Sequence, residues 1–154
     1  MMSLACNVLK ALAGRTLATA ESCTGGMIGE ALTGVAGASK VYKGGIISYC
    51  NEAKCGLLGV DGDLLDQHGP VSAPVAKSMA EGAARALNAD VAISVTGLAG
   101  PAGDEYGNPV GRVYIGYADI ICAIAREFTF SGDRDAVRRQ AAEAALAMIL
   151  EYNQ

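Results

Sequence analysis

Val91 to Thr96 (VAISVT) is a near-continuous apolar run of strand-forming residues. Such a strand has no polar face to offer water, so it predicts a sheet covered on both sides. The rest of the chain alternates around it. Leu4, Val8, Leu9 and Leu12 recur at helical spacing, which predicts a helix over Met2 to Ala13 with Gly14 as its stop. Arg15 to Ser22 reads as a strand, Met27 to Leu32 as a helix, and Gly34 to Ala38 as a loop. Gly45 to Cys50 reads as a β-branched strand. Asn51 is a good N-cap for a helix over Glu52 to Leu58. Gly59 to Gly69 is polar, with room for one helical turn. A long helix opens at Ser72 or Ala73 and runs to about Leu87, with Val75, Met79, Ala83 and Leu87 four apart. Gly97 to Pro109 is a Gly/Pro-rich loop. Gly111 to Ala118 and Ala123 to Phe130 are strands suited to an antiparallel pair, and Asp133 to Glu151 closes the chain as a helix. No linker or repeat interrupts this order. It predicts a single α/β domain over residues 1–154, a three-layer α/β/α sandwich with a mixed sheet.

Composition narrows the function classes. A chain of 154 residues, 51% hydrophobic and 18% charged, is too apolar for a disordered protein and long enough for a real core. Its net charge of −4 lacks the basic surplus of a nucleic-acid-binding domain, so no nucleic acid is expected as a partner. No uncharged apolar run reaches the roughly 18 residues that cross a bilayer, so no membrane partner is expected. Met1 to Lys10 has no charged segment ahead of its apolar residues, unlike a secretory signal. Five cysteines, none in a C-x-x-C pair, argue against a disulfide framework. The expectation is a cytoplasmic protein. With His68 as the only histidine, a His/Cys zinc site is not supported, and neither a metal nor a cofactor is expected. The Ala/Gly-rich helices suit a partner subunit, and a homodimer is expected.

Four segments hold residues suited to chemistry. Glu21-Ser22-Cys23-Thr24-Gly25-Gly26 joins a strand to a helix. Its glycines allow a tight turn, helix-start N–H groups can hold an anion, and Ser22, Cys23 and Thr24 are possible nucleophiles. A plain capping turn would use the same residues. In Tyr49-Cys50-Asn51-Glu52-Ala53-Lys54, Lys54 falls near the positive end of a helix dipole. Burial and the dipole both favour a neutral amine there, which can activate a serine without histidine. A solvated lysine at a helix edge is the competing reading. Thr96-Gly97-Leu98-Ala99-Gly100-Pro101 follows the buried strand, where ligands of open α/β sheets gather. It is neither a G-x-G-x-x-G nor a Walker loop. Arg134 and Arg138 lie four apart at the start of the last helix, placed either to clamp a phosphate or to pair with Asp133 and Asp135.

Taken together and in order, these segments, with Gln67-His68-Gly69 and Ser131-Gly132-Asp133-Arg134, resemble the CinA carboxy-terminal-domain family, which includes nicotinamide-nucleotide amidases of the PncC type. The likeness spans about residues 4 to 150. It implies hydrolysis of the carboxamide of nicotinamide mononucleotide to nicotinate mononucleotide and ammonia, in pyridine-nucleotide salvage, by a metal-free serine–lysine amidase. Ser22 and Lys54 match the motif positions, and Ser39 and Tyr49 match positions of the same pocket. The likeness leaves open which serine attacks. On this reading Thr24, Gly25, Gly26, Thr96, Gly97, Gly100 and Arg134 or Arg138 bind the nucleotide. Cys50 stands where relatives often carry serine, and the separate N-terminal domain of full-length CinA proteins is expected to play no part. The alternative reading is a competence- or damage-associated nucleotide-binding module without turnover. A third is an amidohydrolase acting on another carboxamide.

Overall fold

The computed structural model describes residues 1–154. Five strands form one sheet in the order β2-β1-β3-β4-β5. They are β1 (Leu17–Glu21), β2 (Tyr42–Ile47), β3 (Val91–Gly97), β4 (Arg112–Ala118) and β5 (Ala123–Thr129). β1 runs parallel to both β2 and β3, whereas β4 and β5 are antiparallel to their neighbours. The sheet is therefore mixed, and the hairpin expected near the C-terminus forms. Six helices complete the sandwich: α1 (Met2–Ala11), α2 (Met27–Thr33), α3 (Asn51–Leu58), α4 (Gly62–His68), α5 (Ala73–Leu87) and α6 (Arg134–Tyr152). The anticipated α/β/α layering is what the chain adopts.

The two sheet faces differ in side-chain size, and that difference sets the layers. Successive side chains of a strand point to opposite faces. In β3, Val91, Ile93 and Val95 join Leu17, Ile115 and Tyr117 in a large core shared with α1, α2 and α6. On the other face Ala18, Ala20 and Ala92 pack against Val75, Met79 and Ala83 of α5. Small residues there let α5 approach the sheet closely. Ser94 Oγ donates 2.5 Å to the Ala76 carbonyl, and a Cβ on its β4 neighbour Gly116 would stand 2.2 Å from that same oxygen.

Three local expectations change. β2 covers Tyr42–Ile47, so it begins three residues before the expected start, and Ser48 to Cys50 leave the sheet. Gly44, which as a glycine resembles loop punctuation, pairs with Ala18 of β1, next to Gly45 with Thr19. The Gly59–Gly69 stretch contains the two-turn helix α4, capped by Asp61, whose side chain accepts from the Asp63 N–H at 2.9 Å. Asn51 is the first residue of α3 and not its cap. Cys50 holds the cap position and makes no side-chain cap bond.

Candidate active site

β1 and β3 are adjacent and parallel, so their carboxyl ends open on the same edge of the sheet, where α/β proteins place their ligands. A cleft of about 240 Å³ lies there. The loop after β1 supplies Ser22, α3 supplies Lys54, and the β3 end supplies Thr96, Gly97 and Gly100. Tyr49 and Arg134 line the same cleft.

Ser22 is the first residue beyond β1, and its N–H donates to the Val95 carbonyl at 3.0 Å, which anchors it to β3. Its Oγ lies 3.1 Å from Lys54 Nζ. Lys54 is 1% exposed. Its Nζ donates to the carbonyl oxygens of Ser48 (2.8 Å) and Tyr49 (3.4 Å). None of the ion pairs in the structure involves it. Burial pulls the Lys54 ammonium below the usual lysine pKa, against a smaller upward pull from the thiols of Cys50 and Cys23. An amine in its neutral form has two N–H donors and one lone pair. Nζ donates to Ser22 Oγ as well as to the two carbonyls; once its proton is lost, the carbonyls hold the two remaining N–H groups and the lone pair is turned to the serine hydroxyl. Cys23, also in the cleft, is a poor rival nucleophile, because burial pushes its thiol up to about 11.

The Thr24-Gly25-Gly26 turn does a different job from the substrate contact expected of it. The Glu21 carboxylate is buried beneath it. Glu21 Oε1 accepts from Thr24 Oγ1 (2.7 Å), Gly26 N (3.2 Å) and Ile28 N (3.0 Å), and Oε2 accepts from Gly29 N (3.1 Å). The donors at the start of α2 are thus already engaged by a protein acid, and none of Thr24, Gly25 and Gly26 lines the cleft. Gly25 and Gly26 serve the backbone instead, at φ +60° and +109°. Arg138 clamps the same turn from α6. Its Nε donates 2.9 Å to the Cys23 carbonyl and its Nη2 3.3 Å to that of Thr24. Arg138 therefore holds protein backbone, outside the cleft.

Arg134, one helical turn earlier, is the arginine at the cleft. It donates to the Gly100 carbonyl at 2.5 Å and to Tyr49 Oη at 3.1 Å, tying α6 to both rims. Thr96 Oγ1 donates 2.8 Å to the Pro70 carbonyl, which brings the loop before α5 to the site. Gly97 admits no side chain, since a Cβ there would stand 2.6 Å from Val113. Ser39 is not brought to Lys54. It sits exposed in a 3-10 turn, Ala38–Lys40, and outside the cleft lining. His68 is exposed at the end of α4. Sequence reasoning passed over Asn51, Pro70 and Val71, all of which line the cleft. For Asn51 a signal existed: it precedes Lys54 by three residues, and that spacing shares one helix face.

The family model of the CinA C-terminal domain matches residues 2–153. The nicotinamide-nucleotide amidohydrolase PncC of Escherichia coli K12 is 48% identical over 134 residues, covering 86% of this chain and 81% of that protein. A CinA-like protein of Geobacter sulfurreducens is also 48% identical, over 86% of this chain but 32% of its own greater length. Among solved structures, a CinA-superfamily protein from Escherichia coli superposes with TM-score 0.96 at 34% identity, covering 98% of this chain and 89% of that one. A competence/damage-inducible protein from Agrobacterium tumefaciens gives 0.95 at 36%, covering 99% and 95%. With nearly its whole length matched in sequence and in fold, this chain belongs to the CinA C-terminal domain family.

Proposed function

We propose that this protein is a nicotinamide-mononucleotide amidase that works through Ser22 and Lys54 in pyridine-nucleotide salvage. The observation that carries the reading is a buried lysine amine, without a carboxylate partner, 3.1 Å from a serine hydroxyl at the mouth of a cleft. The PncC amidohydrolase that the chain resembles supplies the substrate class. Neutral Lys54 removes the proton of Ser22 as Oγ bonds to the carboxamide carbon. The tetrahedral intermediate collapses with cleavage of the C–N bond. Lys54 passes its proton to the nitrogen, and ammonia leaves. Water then attacks the acyl–Ser22 ester with Lys54 again as base, releasing nicotinate mononucleotide and restoring the serine. Arg134 binds the phosphate at the rim, and the Gly97–Gly100 backbone that lines the cleft contacts the ribose. Tyr49, joined to Arg134, orients the ring end of the same wall. No metal takes part in these steps.

Ammonia release from nicotinamide mononucleotide tests the reading. Ser22→Ala and Lys54→Ala are expected to lower turnover by at least 10³-fold while remaining folded, a loss on the scale seen when members of a nucleophile–base pair are removed. Full activity in both would sink the dyad. The mononucleotide should be preferred to the riboside and to free nicotinamide, and activity should persist in the presence of a chelator. Ligand-induced thermal stabilisation without ammonia release would favour the binding-module reading instead.

A further inference from the structure

The reaction just proposed places negative charge on the carboxamide oxygen, and the protein must present donors to it. The turn after the nucleophile is the first place to seek them, yet Glu21 already takes the N–H groups of Gly26, Ile28 and Gly29. The Gly25 N–H is taken by the Ser22 carbonyl and the Met27 N–H by that of Thr24. Within this turn the Cys23 and Thr24 N–H groups donate to no backbone carbonyl, and the Cys23 N–H lies against its own thiol. Arg134 stands at the rim, bonded to Gly100 and Tyr49, where its remaining donors are assigned to the phosphate. The Thr96 hydroxyl donates to Pro70.

Asn51 is different. It lines the cleft with Ser22 and Lys54, its side chain is exposed there, and it is not a partner in the side-chain hydrogen bonds around Lys54 and Arg134. It does not cap α3, because Cys50 holds that position. It stands at the first residue of α3, three residues before Lys54, so both side chains leave the same face of a rigid helix. We infer that Asn51 Nδ2 donates to the carboxamide oxygen of the substrate and that, with the Cys23 N–H, it forms the oxyanion site of this enzyme. The inference rests on the amidase reading. As Ser22 Oγ bonds to the carbon, the C=O pair moves onto oxygen and Asn51 meets that charge. When the pair returns, the C–N bond breaks and ammonia leaves with the proton that Lys54 took from Ser22. A helix that carries both the base and an oxyanion donor fixes their separation.

The test is steady-state kinetics of nicotinamide-mononucleotide hydrolysis by Asn51→Ala and Asn51→Asp beside the wild type, with thermal unfolding of each. Loss of a donor used mainly in the transition state is expected to lower kcat about 10²- to 10³-fold with KM within threefold. The isosteric Asn51→Asp removes the donor and adds repulsion, so it should be no better than Asn51→Ala. Melting temperatures should match the wild type, since the side chain supports nothing in the fold. A kcat within threefold of wild type in Asn51→Ala, or a loss carried by KM alone, overturns the donor role while leaving the amidase reading intact. A parallel drop in melting temperature would assign Asn51 a structural role and also overturn it. A wild-type protein that releases no ammonia overturns the amidase reading and this inference with it.

Discussion

A buried ammonium without an anionic partner costs several kcal/mol, and Lys54 escapes that cost by shifting toward its neutral form. The sign of the pH effect follows. Its pKa in the folded protein lies below that in the unfolded chain, so between the two values the unfolded chain binds more protons and stability rises with pH. Lys54→Met should therefore be more stable than wild type at pH 7, with the advantage shrinking as pH approaches the ordinary lysine value. Denaturant titrations across that range measure it, and a pH-independent difference would contradict the burial argument. Activity should climb with pH as Lys54 loses its proton. Glu21 makes the opposite case, a buried carboxylate satisfied by four donors. Glu21→Gln turns an N–H₂ toward backbone N–H groups, and about 2–4 kcal/mol of stability should go with it. Both residues were visible in the sequence, Lys54 with a chemical role and Glu21 without one. Strand and helix signals say nothing of which donors a buried acid will collect.

Lys54 rides on α3, and α3 rests on α5 through a glycine. A Cβ at Gly82 would stand 2.0 Å from the Leu58 carbonyl. Gly82→Ala should force the helices apart, costing about 1–3 kcal/mol as overpacking. It should also lower amidase activity by moving Lys54 from Ser22. Gly56, on the open side of α3, has no atom within 4 Å of its would-be Cβ. Gly56→Ala should gain up to about 1 kcal/mol from helix propensity and leave activity alone. Thermal melts and ammonia release on the two variants separate packing from propensity. At the other rim, Asp133 caps α6 by accepting from the Ala136 N–H at 2.8 Å. Asp133→Ala should cost about 1 kcal/mol and raise KM, because the adjacent Arg134 sits in the turn that would fray. Periodic elements such as α5, α6 and β3 were legible nearly to their ends. β2 and α4 were not, because Tyr42 to Gly44 follow a strand only when β1 lies beside them, and an acidic stretch becomes a helix only once Leu65 has a core to enter.

Across the molecule, β1 and β3 lie inside the sheet with helices over both faces, while the loop from Leu98 to Pro109 leaves the end of β3. Amides of these strands should exchange with solvent only through global unfolding, and those of the loop through local opening. Hydrogen exchange of the free protein reads this directly, and equal protection in loop and strands would contradict it. The α/β class and the alternation of elements follow from the chain alone, since each depends on neighbours within a few positions, and so does the candidacy of Ser22 and Lys54, which the local pattern leaves beside a capping turn and a solvated lysine. Their meeting across 32 residues does not. It needs β1 and β3 paired in parallel and α3 folded back beside them. Arg134 and Arg138 share one helix and one chemistry, yet one reaches the cleft and the other grips backbone. Ser39 carries the same hydroxyl as Ser22 but lies outside the cleft. Periodicity and capping are local energies written along the chain, whereas the distance between two side chains is set by how sheets and helices stack, and that packing chose which of the candidates face one another.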